Sequence, residues 1–324
     1  MALRRFSTAS IKTSAKLGSF KCRSLTTALT WNAVTLPNVS GQFATFGNGM
    51  YVIAPYYGST SYSTSPDGIT WTSRTAPFSA VNSFGWAGSY FVCHIFSGDG
   101  SFYKSSDGIS WTAGTVSGTS GPYSRWNMDM AYDASSGVAV QHQNDNSSIS
   151  PYGVLCYSTD GGNSWTGIAT SLSYSGRNMS ADGTGRFCAG GESNTGIISS
   201  NGTSWTTITT PWSNGHVWGG NGQFIGFTIA SATSTYYLST NGGTSWTTCS
   251  FPVSASWYSA RYNADLGWIL VGATTSSYRS ADGVTWTAAT NSISNSGTHY
   301  ALVHANNKAI TAPYNSTAAD WSNS

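Results

Sequence analysis

Large apolar side chains occur in this chain in short clusters, such as Met50-Tyr-Val-Ile-Ala54, separated by Gly, Asn, Ser and Thr. Clusters of that length bounded by turn residues predict strands. The first unit reads as strands at Gln42–Phe46, Met50–Ala54, Ser61–Thr64 and around Thr70–Ser73. Between the third and fourth lies Ser65-Pro-Asp67-Gly68-Ile-Thr-Trp71. Asp before Gly predicts a tight hairpin: Gly takes the positive φ, and the acid side chain accepts from the N–H groups of the turn.

That segment recurs. It returns as Ser105-Ser-Asp107-Gly108, Ser158-Thr-Asp160-Gly161-Gly162, Ser199-Ser-Asn201-Gly202, Ser239-Thr-Asn241-Gly242-Gly243 and Ser280-Ala-Asp282-Gly283, each followed by Trp. The tryptophans at 31, 71, 111, 165, 205, 246 and 286 are spaced by 40, 40, 54, 40, 41 and 40 residues. A period near 40 holds four short strands, the period of a propeller blade, and each Trp can wedge between neighbouring units. The last unit supplies strands at Tyr300–His304, Lys308–Ala312 and near Thr317–Ser322, then lacks a fourth. Leu25–Val34, with Trp31, is a fourth strand lacking a unit. Pairing the two removes both open edges. The expected fold is all-β: a seven-bladed propeller of four-stranded blades over residues 24–324, with residues 24–35 closing the last blade.

Composition agrees. Charged residues are 8% of the chain, against about 25% in an ordinary domain, yet mean hydropathy is −0.18 and no run of 18 apolar residues exists. A spanning helix is therefore not expected. Aromatic residues at 14% argue against disorder. Scarce Ala, Leu, Glu and Lys argue against a helical bundle. The five cysteines lack C-x-x-C spacing, so neither a metal site nor a disulfide framework is expected; no cofactor is expected either.

Charge is unevenly placed. Residues 1–23 hold Arg4, Arg5, Lys12, Lys16, Lys21 and Arg23 and no acid, leaving the body eight cations against twelve acids, a net −4. An Arg- and Ser-rich, acid-free start is similar in composition to a transit peptide. It is read here as a retained arm that docks on another protein, by its charge an acidic groove. The body offers no basic patch interleaved with aromatics, so nucleic acid is not expected as a partner.

The repeated turns resemble the Asp-box, or BNR, motif, Ser-x-Asp-x-Gly-x-x-Trp, which residues 158–165 match in full. Four copies lack one turn residue and two carry Asn for Asp. The resemblance implies a propeller in which Asp67, Asp107, Asp160, Asn201, Asn241 and Asp282 are structural. Asp-box propellers include sialidases and other glycosidases, and a seven-bladed family that assists photosystem II assembly. A sialidase-like site would need three arginines, a Tyr–Glu pair and an Asp; Arg125, Arg177, Arg261 and Glu192 could imitate part of it. The family's N-terminal Arg-Ile-Pro element is absent, and sialidases have six blades. For other glycosidases two carboxylates must flank one bond, and none of Asp99, Asp129, Asp133, Asp145, Asp182, Glu192, Asp265 and Asp320 is paired by an evident motif. No catalytic residue is assigned.

Hairpin alternation sorts the loops. Turns between first and second strands, and between third and fourth, lie on one face, the turn face. All other connections lie on the opposite face, the loop face, where the units differ and a ligand would be selected. Candidates there are Arg125, Trp126, Arg177, His216, Trp218, Trp257, Tyr258, Arg261, His299 and Tyr300, a set of aromatic faces and polar donors suited to a saccharide. The opening Met-Ala-Leu-Arg-Arg-Phe-Ser-Thr resembles the start of small virion proteins of tailed phages. That resemblance implies a non-enzymatic component of the virion surface, such as a tail fibre, tail tip or head decoration. It would dock on other virion proteins through residues 1–23 and present a propeller to host-surface polysaccharide, without membrane insertion.

Overall fold

The computed structural model describes residues 28–38, 43–54, 58–79, 81–95, 101–118, 130–143, 154–169, 176–191, 193–229, 231–272, 276–293, 298–314 and 316–323. The arm, residues 1–23, lies outside them. The described residues form strands and turns, with no helix.

Blade one is β2 (Ala44–Gly47), β3 (Met50–Ile53), β4 (Ser61–Ser65) and β5 (Thr72–Thr75). Blade two is β6 (Val81–Trp86), β7 (Phe91–Ile95), β8 (Ser101–Ser105) and β9 (Thr112–Thr115). Blade three is β10 (Met130–Asp133), β11 (Val138–Gln143), β12 (Val154–Ser158) and β13 (Thr166–Ala169). Blade four is β14 (Gly176–Ala181), β15 (Phe187–Gly191), β16 (Thr195–Ser199) and β17 (Thr206–Thr209). Blades five and six share a strand: β18 (Gly215–Gly220), β19 (Gln223–Thr228) and β20 (Ala232–Ser239) lead into β21 (Thr247–Asn263), followed by β22 (Gly267–Gly272), β23 (Ser277–Ser280) and β24 (Trp286–Ala288). The two blades thus form one seven-stranded sheet where separate four-stranded sheets were expected. The link between them, Pro252 to Ser256, stays in the extended strand instead of looping out.

Blade seven is β25 (Ala301–Ala305), β26 (Lys308–Ala312), β27 (Ala318–Asn323) and, on its outside, β1 (Thr30–Thr35). β1 runs antiparallel to β27 from Thr30 beside Asn323 to Thr35 beside Ala318. The first strands β2, β6, β10, β14, β18, β21 and β25 each pack beside the next, and β25 beside β2, so the ring closes. Second strands are the most buried, as in Phe187–Gly191 and Gly267–Gly272, while fourth strands such as Thr72–Thr75 face solvent.

The repeated tryptophans pack across the seams. Trp111 Nε1 donates to the Tyr62 hydroxyl on blade one (2.9 Å), which donates to the carbonyl of Gly108 (3.0 Å). The same arrangement joins Trp286, Tyr236 and Gly283 at 3.2 and 2.7 Å. At the closing seam Trp31 Nε1 donates to Ser277 Oγ at 2.6 Å. There the side-chain amide of Asn291 also accepts from the Trp31 N–H and donates to its carbonyl, both at 2.7 Å, as a neighbouring strand would.

The turn glycines answer to packing as well as to φ. Gly68 has φ +73°, and a Cβ there would lie 2.5 Å from Ile310 Cδ1 of blade seven. Gly108 stands likewise over Val52, and Gly162 over Val92. Each such turn therefore rests on the second strand of the preceding blade.

Candidate functional site

On the turn face the six repeated turns share one hydrogen-bond set. In the first, Asp67 Oδ1 accepts from Ile69 N (2.8 Å), Thr70 N (2.7 Å) and Ser65 Oγ (2.9 Å), while Ser65 Oγ accepts from Gly68 N at 2.7 Å. The N–H groups of Thr70 and Ile69 hold the Asp67 carboxyl down to about 2. Asp160 also falls to about 2, because bonds led by the Ser164 hydroxyl and N–H outweigh burial; Asp107 and Asp282 are lowered in the same way. Asn201 and Asn241 accept from Ser204 N (2.8 Å) and Ser245 N (3.1 Å) in the corresponding places. These side chains are turn acceptors, as the repeat predicts.

Asp133 and Asp182, outside the repeated turns, are engaged too. Asp133 Oδ1 accepts from Ser135 and Ser136 N–H, and its Oδ2 from Gly185 N at 3.0 Å on the next blade. Asp182 receives Thr184 N at 2.9 Å and Arg186 Nε at 2.6 Å. Asp265 is exposed and Asp320 buried. Asp99, Asp129, Asp145 and Glu192 lie outside the described residues.

At the centre a cavity of about 820 Å³ is lined by residues of all seven first strands. Large side chains lie flat over glycines of the preceding blade: Trp86 over Gly47, Met130 over Gly85 and Tyr262 over Gly220. This tiling leaves the lumen open. Its wall includes the turn residues Ala134, Thr184, Asn221 and Ala264, so the hollow reaches toward the turn face, and also Phe43 and Tyr300, which precede their first strands at the loop-face end. The sequence reading placed a ligand at the other mouth alone. His304, on the wall, has both ring nitrogens shielded and unbonded among the described residues. Burial, reinforced by Arg261 and Arg279, holds its pKa down to about 3.

Only part of the expected glycan-binding set is brought together. Arg261 and Tyr300 line the cavity. Tyr258 packs edge-on against Tyr300, with ring centroids 5.5 Å apart, and Tyr300 against Tyr314 at 6.3 Å. Tyr314 was not anticipated, because it stands in a connection with no motif. Trp218 (2% exposed) and Trp257 (0%) offer no ring face to a ligand. Trp218 stacks on Phe227 at 4.2 Å, and Trp257 donates to the Thr233 carbonyl at 3.1 Å; both fill the junction of blades five and six. His299 is also fully buried, with Nδ1 3.0 Å from Thr311 Oγ1. His216 is half-buried beside Trp218. Arg125 and Trp126 lie outside the described residues, as does the side chain of Arg177.

The pairing shows one device that the sequence did not. Three first strands carry a register shift near the loop face: between Val81 and Ser83, between Gly176 and Asn178, and between Trp257 and Ser259. The skipped residues are Asn82, Arg177 and Tyr258, on blades two, four and six. Such bulges re-aim a side chain and are common beside binding sites.

Fold and channel together define a closed β-propeller with a lined central hollow. Solved structures agree on the fold. YCF48 bound to D1 peptide superposes with a TM-score of 0.66 at 15% identity, over 91% of this chain and 95% of that one. A catalytically inactive virginiamycin B lyase from Staphylococcus aureus with quinupristin gives 0.69 at 10% identity, over 91% and 99%. The WD40 propeller domain of Doa1 gives 0.61 at 10%, over 92% and 97%. No family model and no curated protein matches the sequence.

Proposed function

We propose that this chain is a non-enzymatic structural component of a phage virion, docked through its basic arm and holding its loop face outward to take host-surface glycan. The observation that carries this reading is the direction of β1. It begins at Thr30 beside Asn323, at the turn-face end of blade seven. β1 thus enters the ring at the face opposite the one on which the units differ. The acid-free arm carries six cations, a charge suited to an acidic partner surface. Propellers of this fold include a peptide-bound example, which accords with a binding role. The carboxylates of the repeated turns, Asp67, Asp107, Asp160 and Asp282, serve as turn acceptors, which accords with a scaffold.

Deleting residues 2–23 tests the reading, because the ring begins after them. The truncated protein is expected to melt like the full chain but to be lost from purified tailed-phage particles that carry the intact one. Incorporation of the truncated form at the same level overturns docking through the arm.

A further inference from the structure

We propose that Tyr258, Tyr300 and Tyr314 form a stacking platform for a pyranose ring at the loop-face mouth, between blades six and seven. The inference rests on the glycan reading above and assigns its contact surface.

Three independent observations converge on these residues. First, Tyr258 is the residue skipped by the bulge in β21, where Trp257 opposes Gly272 and Ser259 opposes Val271. The bulge separates the two aromatics: Trp257 is buried in the blade junction, while Tyr258 meets Tyr300 of the next blade. Second, the three rings are half-buried and mutually edge-on, at interplanar angles of 86° and 77°. In such a stagger one ring's edge supports the next ring's face, a favourable aromatic geometry that fixes ring orientation. Third, the backbone beneath is pinned. The Thr298 carbonyl accepts from Tyr300 N at 3.2 Å and Tyr314 N at 2.8 Å, so one oxygen anchors both segments.

The chemistry favours a sugar. An aromatic face carries partial negative charge, complementary to the C–H groups on the flat side of a pyranose. Phenolic hydroxyls can both donate and accept, as sugar hydroxyls require. Tyr300 also lines the central hollow, so a chain bound on the platform could direct a residue inward toward Arg261.

The test is an array of pyranose oligosaccharides that includes cellotriose, followed by calorimetric titration of the best-bound member. Expected are a tenfold or greater loss of affinity in Tyr258→Ala and in Tyr314→Ala, less than threefold loss in the Phe variants, and unchanged melting temperatures. Binding that is indifferent to both Ala variants overturns the platform and leaves the glycan reading standing. Absence of binding across the array overturns both. Equal losses in the Phe and Ala variants also overturn the platform, since stacking would then not be the contact.

Discussion

The two faces of the ring are built on opposite terms. On the turn face one solution is repeated six times, with the same hydroxyl, carboxyl or amide, and glycine, each turn seated on the blade before it. On the loop face, among the described residues, β6, β14 and β21 are bulged, and the skipped residues, Asn82, Arg177 and Tyr258, share no chemistry. Repetition marks the positions that hold blades together. On the proposal made above, divergence on the loop face is where recognition would be selected.

Breaking the holding side gives the largest effects. Removing residues 24–35 strips β1 from β27 and takes Trp31 from the core, and the protein is expected to aggregate or fail to fold; an unchanged melting temperature would refute closure by this strand. Trp31→Ala alone, at a residue 3% exposed, is expected to cost about 3–5 kcal/mol in chemical denaturation. Gly68→Ala combines a positive φ with a Cβ 2.5 Å from Ile310 and should cost about 2 kcal/mol, whereas an Ala at the open position Gly49 meets only the φ penalty. Tyr62→Phe removes the acceptor of Trp111 Nε1 and the donor to Gly108, for about 1–2 kcal/mol.

A smaller effect concerns acid. The folded-state pKa of Asp67 and Asp160 lies at about 2, below the ordinary 3.8. A depressed folded pKa adds stability above the unfolded value, and that stability is lost as pH falls toward the folded one. Melting temperature should therefore drop between pH 4 and pH 2, and the drop should shrink in Asp67→Asn and Asp160→Asn. An equally steep drop in both variants would remove these turns from the acid response. Smallest of all, Tyr258→Ala on the loop face should leave stability within about 0.5 kcal/mol.

Most of the holding side was legible in the sequence, because a turn is a local object. Ser, Asp or Asn, and Gly meet within a few residues, and Trp at a fixed spacing marks the period. The closing strand could be read from a missing fourth strand at one end and a surplus one at the other; its described part is Thr30–Thr35, and Leu25 lies outside the described residues. Partners across the seams were not legible: Tyr62 and Tyr236 share one repeat position, three residues before the turn serine, but other units carry Phe102 or Leu155 there, Asn291 follows no motif, and their roles depend on which blade lies next to them. The loop-face mouth was read only in part for a related reason. A bulge is a property of two paired strands, so alternation along β21 alone could not show that Trp257 turns inward while Tyr258 meets Tyr300. Trp218 looked equally available, and only its stack on Phe227 reveals a core residue.

In the proposed arrangement one face holds the blades and the other recognises a ligand. The most direct measurement is a cryo-electron microscopy map of a tailed-phage particle carrying the full chain. The account predicts propeller density with the Thr30–Asn323 end of blade seven toward the particle and Tyr258, Tyr300 and Tyr314 pointing away. Density with the tyrosines against the particle, or particles without the propeller, would contradict it.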